Sequence, residues 1–289
     1  MSNAAQVLLN SLITGSLYLL AGTGLTLTYG LSRFPNFAYA EFITFGAYIG
    51  YFTMQQPTGS LPIAVGSAAL ATGFLSLVAY RVVFRPLMNR RAGLIPLMVA
   101  SIGLGYVIRY AIGECWSWAA LSYQRLWPAF AAAGAHVTLL WLYLILTAVA
   151  TSVGLHFLLV RTKIGKAIRA TATNPELAET SGINTERVTA FTWFVGATLA
   201  GAAGVFRAAD TQLYPMLGWD ILLPVFACVV LGGIGSFYGL LLSAVILGLA
   251  ENFGVVLLQA AGLSTEYRMA VAFVVLILVL ILRPRGIGR

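Results

Sequence analysis

The chain has 289 residues, of which 60% are hydrophobic and only 9% charged, with Lys and Arg outnumbering Asp and Glu 17 to 9. A soluble domain carries about 25% charged residues, so this composition excludes an ordinary water-soluble globule and points to a polytopic, all-α integral membrane protein. The formal net charge of +8 suits cationic loops beside an anionic inner leaflet better than a nucleic-acid partner.

A transmembrane helix needs about 20 mostly apolar residues, and nine stretches meet or approach that length: 5–29, 37–54, 61–84, 94–112, 137–160, 188–206, 219–233, 237–258 and 267–283. No Lys or Arg precedes the first of them, so it reads as a retained span rather than a signal peptide. The second holds Glu41 near its start, just after Asn36. A charge at a helix centre costs roughly 2.5–3.5 kcal/mol on insertion scales, and less near an end, where the side chain can snorkel. Two readings stay open: Glu41 and Asn36 face a polar passage or brace its inner gate, or Glu41 caps nearby amides or pairs with a loop arginine. After the fourth stretch, the outer loop 113–136 carries Trp116, Trp118, Tyr123 and Trp127, which fit an interfacial aromatic patch. Cys115 lies in this loop and Cys228 in an apolar run, so neither a disulfide nor a metal site is expected.

The segment 161–187 is the most strongly punctuated. Asn174 suits an N-cap, Pro175 the first helical position, Glu176 the positive helix start, and Gly182 a left-handed helix end. These signals predict a short helix from Pro175 to Ser181. Two isolated turns are not stable in water, so either the loop's own ends or a partner's groove must hold them. The basic stretch just before it, Ile164 to Thr171, has apolar residues at helical spacing and could lie on a membrane surface.

In the sixth stretch Gly196, Gly201 and Gly204 fit close helix packing. The seventh is short enough to be a half-helix. It runs into Leu231-Gly232-Gly233-Ile234-Gly235-Ser236, which reads as a tight turn at the inner surface or as broken backbone lining a cavity. Glu251 and Asn252 approach the outer part of the eighth. Nine crossings with the N-terminus outside and the C-terminus cytoplasmic place all but four of the 17 Lys and Arg inside, leaving Arg109, Arg125, Arg207 and Arg268 outside; eight crossings is the rival count. Neither a Walker A loop, a His-Glu-x-x-His zinc site nor a Gly-x-Ser-x-Gly elbow occurs, and His136 and His156 stand alone. The chain thus reads as one transmembrane domain over 1–289 that is not an enzyme and needs no cofactor or metal.

Several segments together resemble the permease subunits of bacterial and archaeal branched-chain amino-acid ABC transporters, the LivH type: Asn36-Phe37-Ala38-Tyr39-Ala40-Glu41-Phe42 with Gly46-Ala47-Tyr48, then 161–170, Gly182-Ile183-Asn184, 231–236, and Arg283-Pro284-Arg285-Gly286. The resemblance covers nearly the whole chain. It implies a multi-pass protein of the cell (inner) membrane, in which two permease subunits, commonly different ones, form the pathway. Two cytosolic ATPase subunits drive transport and an external binding protein delivers substrate. It makes Asn36, Tyr39, Glu41, Gly46, Gly232, Gly233 and Gly235 candidate pathway or gate residues. It makes Asn174, Pro175, Glu176, Leu177, Ala178, Glu179 and Gly182 the candidate ATPase-coupling element within loop 161–187. The outer loop 113–136 is unlike the family and reads as an interfacial aromatic patch or as part of the dock for the binding protein. The sequence departs from the family where Tyr39-Ala40 replaces the common His-Gly, and where Gly239 is followed by Leu240 and Leu241 rather than small residues. Similar families carry urea, amides and other amino acids, and a self-sufficient secondary transporter or channel for small polar solutes is the alternative.

Overall fold

The computed structural model describes residues 4–123, 127–132, 135–264, 267–283 and 286–288. Arg125, Pro284, Arg285 and Arg289, which entered the orientation and the resemblance, lie outside the described residues. In chain order the elements are α1 (Ala4–Ser32), α2 (Tyr39–Gln55), α3 (Leu61–Ala79), a π-helical turn (Tyr80–Phe84), α4 (Arg85–Asn89), α5 (Leu94–Trp116), β1 (Ala129–Ala132), β2 (Ala135–Thr138), α6 (Leu139–Arg161), α7 (Lys163–Thr173), α8 (Pro175–Thr180), α9 (Thr185–Asp210), α10 (Leu217–Gly232), α11 (Phe237–Ala260) and α12 (Arg268–Leu282).

Each of the nine apolar stretches falls on a helix, but the helices are unequal. Among the described residues, six are long and apolar enough to cross a membrane: α1, the run from α3 through α4, α5, α6, α9 and α11. The remaining three, α2, α10 and α12, have 17, 16 and 15 residues. At 1.5 Å per residue they measure about 26, 24 and 22 Å, short of the roughly 30 Å hydrocarbon core. Pro224 lies inside α10 and removes one of its internal hydrogen bonds. The antiparallel hairpin β1–β2, with Phe130 opposite Val137 and Ala131 opposite His136, is a small departure from the all-α expectation. It also delays the start of the fifth helix from 137 to Leu139.

The chain divides into two compact units. The α2–α9 unit comprises Leu27–Tyr123 and Thr151–Leu222. Its centre is a close packing of α2, α3 and α9, made possible by glycine. A methyl group at Gly46 would overlap the Gly201 backbone, one at Gly204 the Ile43 carbonyl, and one at Gly201 the Ala68 carbonyl and the Thr72 hydroxyl. Small residues let helix backbones approach to this degree. Beside this packing, Trp193 is buried among Phe84, Tyr80 and Phe34 at 4.8, 5.5 and 6.3 Å between ring centroids. Its indole N–H donates to Ser32 Oγ at 2.9 Å.

The aromatic residues of loop 113–136 are not one surface patch. α5 runs on through Trp116, which stacks on Tyr48 at 5.4 Å, while Trp118 remains exposed. Tyr123 is buried and its hydroxyl donates to the Ala47 carbonyl at 2.7 Å. Burial pushes the Tyr123 phenol well above the ordinary tyrosine range, so it remains a protonated donor. Tyr123→Phe should therefore lower stability by about 1 kcal/mol, read as a reduced melting temperature of the detergent-solubilised protein; an unchanged value would remove this anchor.

The α1–α11 unit comprises Met1–Thr26, Gln124–Ala150 and Leu223–Arg289. Here α1 and α11 approach closely where a methyl at Gly15 or Gly248 would meet the opposing backbone. Glu251, 1% exposed, accepts from Tyr18 Oη at 2.9 Å and from Arg268 Nε at 3.0 Å. Arg268 also donates to Thr14 Oγ1 at 3.0 Å, which in turn accepts from Asn252 Nδ2 at 3.1 Å. This network ties α1, α11 and the start of α12 together and gives a buried carboxylate the partners that its burial demands. Cys115 is exposed, Cys228 is buried, and both are free thiols.

Candidate functional site

The α2 region is positioned by its approach from α1. Asn36 Oδ1 accepts from the Ala38 amide at 3.1 Å, an Asx turn that competes with helix geometry. Helix α2 therefore starts at Tyr39, not at 37. Phe37 N–H donates to Ser101 Oγ of α5 at 3.1 Å. Ser101, Gly105 and Arg109 are spaced four apart on α5 and so share one face, and all three meet the start of α2. A Cβ at Gly105 would stand 3.6 Å from the Ala38 Cα and 3.7 Å from the Glu41 Cγ.

Arg109 completes that face by pairing with Glu41, which is fully buried. Its Nε reaches Glu41 Oε1 at 3.0 Å, and its Nη2 bonds the same oxygen. Among the described residues, buried Glu41 Oε2 finds no hydrogen-bond partner. The guanidinium also lies 4.9 Å from the Trp219 ring centroid and 5.4 Å from that of Tyr106, which adds cation–π attraction. Arg109 is thus a buried helix residue, 7% exposed. Glu41 does not depend on snorkelling: its charge is met inside the protein.

The other α2 candidates are packing residues in the same unit. Tyr39 is buried and its hydroxyl donates to the Gly196 carbonyl at 3.3 Å. Gly46 abuts Gly201. The start of α10 joins α2 through Gly218 N–H, which donates to Thr44 Oγ1 at 3.0 Å.

The segment 161–187 folds as its punctuation indicates. Thr162 caps α7, accepting from Gly165 N–H at 3.0 Å. Asn174 caps α8, accepting from Leu177 N–H at 3.1 Å, with Pro175 opening the helix and Glu176 in its first turn. At the far end Gly182 has φ +83°. Its N–H donates to Glu179 O at 2.9 Å, and that of Ile183 donates to Ala178 O at 3.0 Å. This is the paired closure that satisfies the last carbonyls of a helix. The helix ends at Thr180, one residue before the expected Ser181. Ala178 turns inward at 3% exposure, whereas Leu177 projects outward at 64%. Arg33, at φ 55°, donates through Nη2 to the carbonyls of Ala172 and Thr173 at 3.1 and 3.4 Å, and so closes the end of α7. The Arg85–Glu186 pair at 2.7 Å is solvent-exposed and contributes little.

Gly232, Gly233 and Gly235 lie in the α1–α11 unit, at the turn from α10 to α11. Gly233 and Gly235 have φ +89° and +81°, a conformation that side chains disfavour. Ser236 caps α11, accepting from Gly239 N–H at 3.1 Å. The N–H groups of Ile287 and Gly288 donate to the Leu231 and Gly232 carbonyls at 2.9 and 3.1 Å, which α10 cannot satisfy internally. The tight-turn reading therefore describes this backbone.

The structure thus joins Asn36, Tyr39, Glu41 and Gly46 in one packed region and gathers Asn174 to Gly182 into a separately capped helix. Sequence reasoning missed Arg109 as the partner of Glu41. The available signal was an arginine inside the apolar stretch 94–112, four residues on from Gly105 and eight from Ser101. Among the described residues, no group of three or more His, Cys, Asp or Glu is arranged to hold a metal ion.

Comparison with known proteins agrees with this largely helical, apolar architecture. The family model described as "Branched-chain amino acid transport system / permease component" matches residues 7–280. The high-affinity branched-chain amino acid transport system permease protein LivH of Escherichia coli (strain K12) is 32% identical, over 98% of this chain and 94% of the relative. The corresponding protein BraD of Pseudomonas aeruginosa is 30% identical over 98% and 94%, and the probable permease protein LivH of Methanocaldococcus jannaschii is 28% identical over 98% and 91%. With a match of this extent, the chain belongs to the branched-chain amino acid transport permease family and is a multi-pass protein of the cell (inner) membrane.

Proposed function

We propose that this chain is the membrane-spanning subunit of an ABC importer for branched-chain or related amino acids. It forms the pathway with a second permease, receives substrate from an external binding protein, and couples through α8 to separate cytosolic ATPase subunits. Its family membership supports the substrate class. The observation that carries the coupling role is α8 itself: a two-turn helix capped at both ends by its own loop, with Leu177 left projecting. A helix held so firmly does not need a partner to fold, so its exposed apolar side chain is free for one. The nine-crossing topology, with the N-terminus outside and 161–187 in the cytoplasm, belongs to the same proposal. So does a role for the Asn36–Gly46 region and the Gly232–Gly235 turn in supporting the pathway or its gate.

The test is the double variant Glu176→Ala/Leu177→Ala in proteoliposomes holding the complete transporter. Substrate uptake should fall by about tenfold or more, as for loss of a buried interface anchor, while the melting temperature of the permease is unchanged. Unchanged uptake would refute coupling through α8. Uptake by the purified chain alone, under an ion gradient, would instead support a self-sufficient carrier.

A further inference from the structure

A groove of about 420 Å³ lies between α7 and α8. Leu177, Ala178 and Ile183 give its lining an apolar part, and Lys166, Arg169 and Thr173 of α7 give it a basic and polar part. Lys166, Arg169 and Thr173 recur every three or four residues along α7, so they share one helix face. Both cations are exposed, and neither has an ion-pair partner among the described residues. None of the lining residues is acidic. Arg33 holds the end of α7, and the closure at Gly182 and Ile183 holds the end of α8, so the two helices are set before anything binds.

We propose that this groove receives an element of the cytosolic ATPase bearing both a carboxylate and an apolar side chain. The carboxylate pairs with Lys166 and Arg169, and the apolar group packs on Leu177, Ala178 and Ile183. The proposal rests on the ATPase-coupled reading above and extends it. The contact is not only a helix projecting from the permease but also a charged socket beside it, and two α7 residues outside the 174–182 element help to choose the partner. Arginine can take a carboxylate through two parallel N–H bonds, and charge pairs of this kind set partner choice and encounter rate more than raw affinity. An anionic bilayer is the competing occupant and fits less well. Helix α8, which lines the groove, carries Glu176 and Glu179 and would be repelled. No aromatic residue occurs between 163 and 183, although helices that rest on membranes characteristically present Trp or Phe beside their aliphatic residues.

The experiment tags the full-length chain in its host, extracts it gently in detergent, and quantifies by mass spectrometry the Walker-motif ATPase subunits and the phospholipids that it retains. The parent is compared with Lys166→Glu/Arg169→Glu, with the neutral pair Lys166→Gln/Arg169→Gln, and with the conservative pair Lys166→Arg/Arg169→Lys. Charge reversal should reduce retained ATPase by about tenfold or more, neutralisation should reduce it less, and the conservative pair should retain it. Melting temperatures report folding, and the neutral pair serves if reversal unfolds the chain. Carbodiimide treatment of the parent complex should activate an Asp or Glu carboxylate of the ATPase as an O-acylisourea, which the Lys166 amine attacks to form an amide, the carbodiimide leaving as its urea. Equal ATPase retention by the parent, reversed and neutral variants overturns the proposal. Unchanged ATPase with loss of anionic phospholipid also overturns it, and assigns the groove to the membrane. A parent chain that retains no ATPase overturns the transport-subunit reading itself, a different failure from that of the groove.

Discussion

Arg109→Met is expected to cost the protein about 3–5 kcal/mol of stability, the penalty for leaving one member of a buried ion pair without the other. The two side chains are 8% and 1% exposed, so water cannot take over the role of the lost guanidinium. Glu41 Oε2 already has no hydrogen-bond partner among the described residues, so removing the guanidinium strips Oε1 of both these N–H donors and leaves the carboxylate stranded. The variant should show a steep drop in melting temperature and in yield of monodisperse protein in detergent. Adding Glu41→Gln to it should recover most of the loss, because neutral replacement of both partners avoids the stranded charge. A single variant as stable as the parent would show that this pair is not what joins α2 to α5.

Gly204→Ala should be the next most damaging change, for a steric reason. The new methyl group would overlap the Ile43 carbonyl and stand close to the Ala47 amide, and both belong to the α2 backbone, which cannot rotate away. Overpacking of this kind costs about 1–3 kcal/mol, and a backbone obstacle places it at the upper end. The same substitution at Gly103 provides a matched control. Among the described residues nothing lies within 4 Å of a Cβ there, so the gain in helix propensity, up to about 1 kcal/mol, should stand alone. Melting temperatures that move in opposite directions would confirm that α2 and α9 are held at glycine distance; equal shifts would argue that the contact is loose.

Local signals carried furthest from sequence to structure. Asn174, Pro175 and Gly182 act within a few residues of themselves, so the caps and closure of α8 follow from the order of residues alone. Apolar length located the helices but not their ends: the Asx turn at Asn36 delays α2 to Tyr39, and the left-handed backbone of Gly233 stops α10 at Gly232. The Glu41–Arg109 pair joins positions 68 apart, and nothing local to Glu41 identifies its partner. Tyr123 looked interfacial among tryptophans, yet the carbonyl that accepts from its hydroxyl belongs to α2. The β1–β2 hairpin had little to announce it, since its alanine-rich strands are poor in the β-branched and aromatic residues that favour sheets.

Arg33 gives the α1–α2 junction a mechanical meaning. Its guanidinium holds the last carbonyls of α7, while its own backbone sits in a left-handed conformation that costs about 1–2 kcal/mol. Asn36, which fixes where α2 begins, follows it almost at once in the chain. A force applied to the tail of α7 must therefore either break the hydrogen bonds to Arg33 or turn the short strut that leads into α2. In engineering terms, Arg33 is a pin joint, through which a push on the α7–α8 arm becomes a torque at the root of α2.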